Sequence, residues 1–386
     1  MKLTNSYLKN RLTNLAANFK LAAKFWVILF PLSALGQIDT TLNIDEIQIT
    51  ASKIRTSPIG TQSVKWNSND LQKINAQNLG ELLDSETPIF IKSYGLGSLA
   101  TSSIRGGSGG HTLVLWNGFP IQSPMLGLLD LSLLPLNSTE TISFQKGGNS
   151  ALWGSGAIGG VIGLNNQPDF LNKLSVKSNT QIGSFGAFEQ QLNLGLGNEN
   201  FQSSTKVFYN RADNDFSYSP APTLPEITQT NNQLEQWNFI QNAYWKINSK
   251  NRIEVHFWRQ NSERQIPPLI TQNRNLAYQD DIATRLTTNW QFIDNQFITN
   301  LKIGFFDEHN NYFDEIIQLE ARNRFKSLIS EFNIQKSINQ THKIFLGGTH
   351  FFTKAWSDGY SNPPTENRIA LFGSYQILEE KYQIQG

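Results

Sequence analysis

Three glycines at a fixed spacing are the first feature of the sequence that could do chemistry. The stretch ALWGSGAIGGVIGL contains Gly154, Gly156 and Gly159 in the pattern G-x-G-x-x-G, which binds the pyrophosphate of a dinucleotide when a strand precedes it. That use needs a helix directly after the glycines and an acidic residue about 20 positions further on. Here a short β-like run ends at Pro168, and Asp169 comes too early. We therefore predict that these glycines allow close backbone packing and bind no phosphate.

Histidines and acidic pairs are the other candidate ligands for a metal or for catalysis. The histidines form no HExxH motif or paired spacing, and no Ser/His/Asp arrangement has local support. Acidic pairs could coordinate calcium, but such residues are common in the loops of β-barrels. The absence of cysteine excludes thiolate metal sites and disulfides. We predict no catalytic residue, no metal site and no cofactor, and hence no enzyme. The histidines are His111, His256, His309, His342 and His350, and the acidic pairs are Asp213/Asp215, Asp280/Asp281 and Asp307/Glu308.

The composition indicates a surface that does not face water everywhere. Charged residues make up 16% of the 386 positions, against about 25% in ordinary soluble domains. Aromatic residues reach 11%, yet the mean hydropathy is −0.36, too polar for a bundle of apolar helices. Alternating strands with one face toward lipid fit both values. The net charge of +1 indicates no nucleic-acid partner.

The N-terminus has the pattern of a secretory signal peptide. Basic residues from Lys2 to Lys24 precede the apolar run FWVILFPLSAL, and the small residues Ala34, near the end of that run, and Gly36 stand just before Gln37. The alternative is a membrane anchor helix, but that needs about 20 apolar residues. We predict a cleaved signal peptide over residues 1–36.

The next region predicts a small α+β domain over residues 54–168. Apolar residues from Leu71 to Leu83 have helical spacing, with a cap at Asn69 or Asp70 and a break at Pro88. Short strand-like runs follow, and the pair Asn117-Gly118 is typical of a hairpin turn. The runs are IFIKSYG, SSIRGG, TLVLWNG and TISFQKG.

Residues 169–386 read as long strands with period-two alternation. In NQFITNLKIGFF, for example, Leu301, Ile303 and Phe305 fall on one face, whereas Lys302 and Gly304 fall on the other. Tight turns (248–251, 293–295) alternate with long polar loops (213–231, 262–280), which is typical of a transmembrane antiparallel β-barrel. A secreted β-sandwich is the alternative, although strands of about 10 residues or more are long for one.

The number of strands predicts an incomplete barrel. About eleven candidate strands are present, and the chain ends at EEKYQIQG as though within a hairpin. A sheet in lipid must close, because an open edge leaves backbone groups unpaired. We therefore expect residues 169–386 to be the N-terminal part of a truncated barrel.

Several motifs in order resemble the plug domain of TonB-dependent outer-membrane receptors, over about 120 residues from Ile44 to Asn166. The family's Arg-Gly-Pro is replaced here by Lys146-Gly147-Gly148. The matching segments are IDEIQITASK (44–53), LGELLDSETPIFI (79–91), SIRG (103–106), TLVLWNGFP (112–120) and LPLNSTETISFQKGGNSALWGSGAIGGVIGL (134–164).

The resemblance implies a mainly β protein of the cell outer membrane, a 22-stranded type of barrel, here truncated, filled by a plug. It also implies that residues 37–53 carry the TonB box, which binds a TonB-type energy-coupling protein in the periplasm by strand addition. The TonB-binding residues would be Asp45, Glu46, Ile47, Gln48, Ile49, Thr50 and Ala51. Arg105 and Lys146 would anchor the plug to barrel carboxylates, although lysine lacks the bidentate fork of arginine.

The expected function is energised uptake of a large, scarce ligand. Bulky apolar residues in the glycine-broken segments 93–102 and 121–130 are candidate ligand contacts, namely Tyr94, Leu96, Leu99, Met125 and Leu126. The run SSIRGGSGGHTLVLWNGFPI is most similar to the cobalamin-receptor branch, but receptors of ferric siderophores share every motif. A non-transporting outer-membrane channel or adhesin and a secreted carbohydrate-binding protein are further alternatives. The partners implied are a TonB-type protein, outer-membrane lipid and a small-molecule ligand.

Overall fold

The computed structural model describes residues 63–385, apart from residues 75, 96, 148–149, 169, 171–173, 222, 273, 340 and 379–382. The predicted signal peptide and TonB box therefore lie outside the described residues. Within those residues, no helix is long and apolar enough to cross a membrane.

Residues 63–168 form a small α+β domain around a five-stranded sheet. Its sheet has the order β1-β6-β7-β4-β5, in which only β4 and β7 are parallel, and β2 and β3 form a separate hairpin. Short 3₁₀ turns lie at Gly109–His111, Leu131–Leu133, Leu136–Ser138 and Ser155–Ala157. The elements are β1 (Ser63–Asn67), α1 (Ser68–Leu71), α2 (Leu79–Glu86), β2 (Phe90–Ser93), β3 (Ala100–Ser103), β4 (Thr112–Trp116), β5 (Phe119–Pro120), β6 (Thr141–Lys146), α3 (Ser150–Trp153) and β7 (Gly160–Asn165).

The single helix predicted from about residue 69 to the break at Pro88 is wrong, because a cap at Asn78 starts a separate helix, and the first cap is Asn67 and not Asn69 or Asp70. The side chain of Asn67 accepts hydrogen bonds from the backbone of Asn69 and Asp70 and so starts α1. Asn78 accepts one from the backbone of Glu81 and starts α2. A cap residue needs extended backbone, so the helix cannot run through Asn78. The apolar spacing of α2 still buries Leu79, Leu82 and Leu83 in the domain core.

The Asn117-Gly118 turn is confirmed. Both residues have positive φ, +48° and +87°, as a type I′ turn requires, and the turn joins β4 to β5.

The rest of the chain, as far as the structure describes it, forms one antiparallel sheet of eleven strands, which matches the expected number. Their order follows the sequence from β8 to β20, and β11 (Ser217–Tyr218) and β12 (Ile227–Thr228) form a separate two-residue hairpin. The eleven strands are β8 (Leu174–Ile182), β9 (Phe188–Gly197), β10 (Phe201–Ala212), β13 (Leu234–Lys246), β14 (Asn251–Gln265), β15 (Ala277–Ile293), β16 (Phe297–Asp314), β17 (Leu319–Ser337), β18 (His342–Ser357), β19 (Thr365–Leu378) and β20 (Gln383–Gln385).

The predicted alternation is confirmed on β16. Lys302, Gly304 and Phe306 are buried on the face that contacts the small domain, which we call the inner face. Leu301 and Ile303 point the other way and are exposed, as on the lipid-facing side of a barrel. The continuous register of β14 to β17 carries this division from strand to strand.

The two ends of the sheet differ as expected. Short turns join β13 to β14 and β15 to β16, at residues 247–250 and 294–296, whereas residues 213–233 form a long loop. The loop predicted at 262–280 is shorter, because β14 and β15 continue pairing as far as Gln265 and Tyr278 and leave only residues 266–276.

The glycine stretch packs closely against backbone, as predicted, and its partners lie within the small domain. A Cβ on Gly159 would lie 2.9 Å from the carbonyl oxygen of His111, and one on Gly160 would lie 2.8 Å from that of Gln145. Strand β7 follows directly, where a dinucleotide loop would need a helix.

Replacing Gly160 by alanine will destabilise the small domain by about 1–3 kcal/mol, because the contact with the Gln145 carbonyl cannot relax without moving the backbone. Gly156→Ala is the matched control, since its nearest neighbours lie 3.7 Å away. Proteolysis of the detergent-extracted protein at increasing urea would measure the difference. Equal protease resistance of the two variants would contradict the packing account.

Candidate functional site: the small domain on the inner face of the sheet

A pair of tryptophans joins the small domain to the large sheet. Trp116 of β4 and Trp258 of β14 are fully buried, with ring centroids 5.5 Å apart. The indole N–H of Trp258 donates to Asn238 at 2.8 Å, and the Arg285 guanidinium lies 4.6 Å from its ring centroid. The two tryptophans belong to one apolar core that the small domain and the large sheet share.

A phenylalanine contact extends this interface. Phe119 of β5 lies 6.2 Å from Phe306 of β16, centroid to centroid. Gly304 makes room for it, because a Cβ there would lie 2.9 Å from the Phe119 ring. The lack of a side chain at position 304 therefore allows the small domain to approach the sheet.

A buried ion pair fixes the segment that ends at Asp130. Its carboxylate lies 2.6 Å from Nη1 of Arg264 on β14, and both side chains are less than a tenth exposed. Asp281 of β15 lies 3.7 Å from the same guanidinium. Asp130 also accepts hydrogen bonds from the backbone of Ala100 and Ser132, at 3.0 Å each. One carboxylate thus joins both predicted ligand segments, 93–102 and 121–130, to the sheet.

A second ion pair joins Glu140 to Lys206 of β10 at 2.7 Å. The Ser68 hydroxyl donates to the same carboxylate at 3.0 Å. Burial raises the pKa of Glu140, but the charge and hydrogen bond of Lys206 and the Ser68 hydroxyl outweigh it, so the net pKa lies below the ordinary value. Glu140 is therefore ionised at neutral pH.

Two glutamines complete the polar contacts. Gln236 of β13 and Gln260 of β14 both donate to the backbone carbonyl of Leu133, at 2.7 and 2.6 Å. The inner face of the sheet therefore satisfies backbone as well as carboxylate groups of the small domain.

The predicted ligand residues lie near the long-loop end of the sheet. Gly97 approaches Leu234, the first residue of β13, next to the loop 213–233, and Arg264 lies one residue before the end of β14. Tyr94 and Leu126 are 58% and 56% exposed.

Two other predicted ligand residues are less accessible. Leu99 is half-buried, Met125 packs partly against the core, and Leu96 lies outside the described residues. The ligand role of these residues stays a prediction.

The predicted anchors, Arg105 and Lys146, form no ion pair among the residues that the structure describes. Arg105 is exposed with positive φ (+52°), and its guanidinium lies near Gly147. Lys146 is half-buried at the end of β6. Their anchoring role stays a prediction. The anchors seen here have the opposite polarity, because carboxylates of the small domain meet cations of the sheet.

The acidic pairs considered for calcium on β15 and β16 cannot act as pairs, because neighbouring strand residues point to opposite faces. Asp307 binds Arg324 on the outer face, whereas Glu308 binds Arg285 on the inner face, 2.7 Å away. Asp281 contacts Arg264. In the described part of the chain, no three His, Asp or Glu side chains converge as metal ligands would.

Comparison with known proteins decides the nature of the small domain. The family model for the TonB-dependent Receptor Plug Domain matches residues 53–161. The small domain is a TonB-dependent receptor plug domain. The resemblance noted in the sequence is thereby confirmed for this domain, and the eleven-stranded sheet has the fold of part of a receptor barrel. Fold and family place the protein in the outer membrane.

Curated relatives are similar to parts of the sequence, and solved structures share the fold. The chain is 36% identical over 95 residues to the vitamin B12 transporter BtuB of Photobacterium profundum, covering 25% of this chain and 16% of the relative. It is 29% identical over 180 residues to BtuB of Vibrio vulnificus, covering 46% and 27%. The fold is similar to the FrpB iron transporter of Neisseria meningitidis, with a TM-score of 0.70 and 12% identity over 84% of this chain and 56% of that one. The matches thus span about a sixth to a quarter of the BtuB relatives and about half of FrpB.

The residues that hold the plug domain were missed by sequence reasoning. Asp130 lies within a segment that was singled out for its apolar residues, although a lone carboxylate in the run LGLLDLSLL is the kind of group that must find a partner when buried. Its partner lies 134 residues away, and no local pattern relates the two.

Replacing Arg264 by methionine will destabilise the plug domain against the barrel wall by about 3–5 kcal/mol, because Asp130 and Asp281 remain buried without their cation. Asp130→Asn will destabilise the plug domain less, since Asp281 still lies next to the Arg264 guanidinium. Protease access to the plug domain at increasing urea would measure both. Lys250→Gln, which removes an exposed ion pair with Asp294 in the turns, is the control and should have little effect. A wild-type response of Arg264→Met would contradict the anchoring role.

The Glu140–Lys206 pair will give a pH-dependent difference between the wild type and Glu140→Gln. The folded-state pKa is lowered, so the stabilisation is present above the unfolded value of about 4.5 and is lost as the pH falls through the folded pKa. The variant should therefore be less stable from pH 8 to about pH 5 and approach the wild type below that. Urea titrations across this range would test it. A difference that persists at the lowest pH would show that the charge is not responsible.

Proposed function

We propose that the protein is a TonB-dependent outer-membrane receptor that imports a large, scarce ligand, with energy supplied by a TonB-type protein bound at residues 45–51. One observation carries the proposal: the plug domain shares a buried core with the inner face of the barrel wall. A ligand that moves along this face meets the plug domain first. Import thus requires the plug domain to move.

The contacts that hold the plug domain explain why the movement needs energy. The Asp130–Arg264 and Glu140–Lys206 pairs and the Trp116–Trp258 contact must be disrupted together for the plug domain to leave the wall. Thermal motion alone rarely breaks such a set of buried contacts at once. An applied force through the chain N-terminal to β1 would act on them directly.

We propose cobalamin as the ligand. The BtuB relatives support this choice, because both are named as vitamin B12 transporters and one match exceeds 30% identity. The ligand would contact Tyr94, Leu96, Leu99, Met125 and Leu126 at the long-loop end. A ferric siderophore is the alternative; the iron transporter FrpB shares the fold at only 12% identity, which carries less weight for the ligand.

Uptake of radiolabelled cobalamin by cells that depend on this protein would test the proposal. Deletion of residues 44–50 should abolish uptake and leave surface binding intact. Ile49→Pro should act likewise, because proline removes the backbone donor that strand addition uses, whereas Gln48→Ala should be tolerated.

Three outcomes would overturn parts of this proposal. Uptake that survives the deletion would indicate a passive channel. Binding without any uptake in the intact protein would indicate an adhesin. Energised uptake of a ferric siderophore in place of cobalamin would retain the transport mechanism and replace the ligand.

A further inference from the structure

Two lysines face each other on the outer surface of the barrel wall. Lys326 of β17 and Lys354 of β18 are direct partners in the antiparallel register. Phe325 and Ser327, on either side of Lys326, are buried on the inner face, so Lys326 points outward, with its side chain 42% exposed. Lys354 lies beside it on the same face.

This lysine pair lies at the border of the lipid-facing belt. Next to it, toward the short-turn end, are the exposed residues Leu328 and Phe352, which are also direct partners. The belt continues along β17 to Lys336, ten residues from Lys326. Ten residues of a strand tilted by about 40° span about 25 Å along the membrane normal, the height of the apolar band of such barrels. The lysine pair therefore lies at headgroup level on the long-loop side.

Like charges directly opposite one another destabilise a sheet, and the neighbouring carboxylate does not balance this pair. Asp307 lies 3.5 Å from Lys326 but already accepts two hydrogen bonds from Arg324, at 2.8 and 2.7 Å. Among the described residues, Lys354 has no carboxylate within ion-pair distance, and its ammonium lies 5.3 Å from the centroid of the Trp356 ring.

A cavity of about 700 Å³ lies at the long-loop end of the same two strands and begins two residues beyond the lysine pair, at Arg324 and Trp356. Arg324 and Trp356, which are partners in the register, line it together with His309, Arg322 and Tyr360. Two carboxylates are near: Glu320 pairs with Arg322, and Asp358 accepts from the Arg322 backbone. Both carboxylates therefore contact Arg322. Arg324, on the other side of the cavity, is the lining residue next to the lysine pair on the outer face.

We propose that this surface binds the phosphate-bearing headgroup of an outer-leaflet lipid, with one phosphate between Lys326 and Lys354 and the sugar or glycerol part of the headgroup in the cavity. A phosphate there converts like-charge repulsion into two charge-assisted contacts. The acyl chains would lie along Leu328, Phe352 and the rest of the belt. This site requires only the barrel wall, so it is independent of the imported ligand and of energy coupling.

The test measures binding of diphosphoryl lipid A and of its dephosphorylated form to the full protein in detergent, by native mass spectrometry. The double variant Lys326→Gln/Lys354→Gln should bind the phosphorylated lipid about 20- to 30-fold more weakly, at roughly fivefold per lysine. Lys336→Gln is the matched control, because this lysine lies at the opposite border of the same strand and should leave binding within twofold. The dephosphorylated lipid should bind the wild type as weakly as the double variant binds the phosphorylated one.

A second measurement uses the melting temperature of a single variant and does not require the double variant to fold. The substitution should stabilise the protein without lipid and weaken the stabilisation that added lipid gives. In lipid-free detergent, Lys354→Gln should raise the melting temperature by about 1–3 °C, because it removes the repulsion. Added phosphorylated lipid should then stabilise this variant less than it stabilises the wild type.

Wild-type binding by the double variant, or equal binding of the two lipid forms, would overturn the proposal. Inorganic phosphate at millimolar concentration should not displace the lipid. Displacement would indicate a site for free phosphate instead.

Discussion

The satisfaction of backbone hydrogen bonds in lipid is the constraint on which the rest of the structure depends. No water reaches the hydrocarbon core, so each strand must pair along its whole length, and β13 to β18 do so in an unbroken register. In a continuously paired sheet, side chains point alternately to the outer and the inner face. The belt of the outer face is apolar because lipid is its solvent. The inner face is polar and buries Lys302, Asn300 and Glu331; such groups need partners, and part of the inner face finds them in the plug domain.

The charged contacts hold the plug domain in place and would still permit the movement that the proposed import requires. Removing one partner of a buried ion pair is costly, because the other charge stays buried. Separating both partners into water costs much less, since each regains its hydration. Asp130 with Arg264 and Glu140 with Lys206 therefore position the plug domain accurately, while resisting its displacement less than an equal area of apolar packing would. The Trp116–Trp258 contact supplies the apolar part, and it is confined to one region of the interface.

Much of the fold was predictable because the period of a strand is local information. The alternation of β16 predicted which residues share a face, and the absence of a helix after Gly160 excluded a dinucleotide loop. The division between α1 and α2 was missed, because the cap at Asn78 competes with helical apolar spacing that looks continuous. The site was less predictable. Glycine-broken segments indicated exposure, which holds for Tyr94 and Leu126, whereas Met125 packs on the core. The plug anchors depend on which strand faces which loop, and that follows only from the assembled sheet.

The order of the plug contacts along the chain bears on how the proposed import would proceed. A pull transmitted through residues 45–51 reaches β1 first, and β1 is the edge of the plug sheet, paired only with β6. The next residue after β1 is Ser68, whose hydroxyl helps to hold the ionised Glu140 against Lys206. Loss of β1 therefore weakens the Glu140 anchor directly. Asp130 lies more than 60 residues further along and near the long-loop end, beside the predicted ligand segments. The contacts nearest the ligand are thus the last to feel the pull, so the ligand would stay bound until the plug domain has begun to leave the wall.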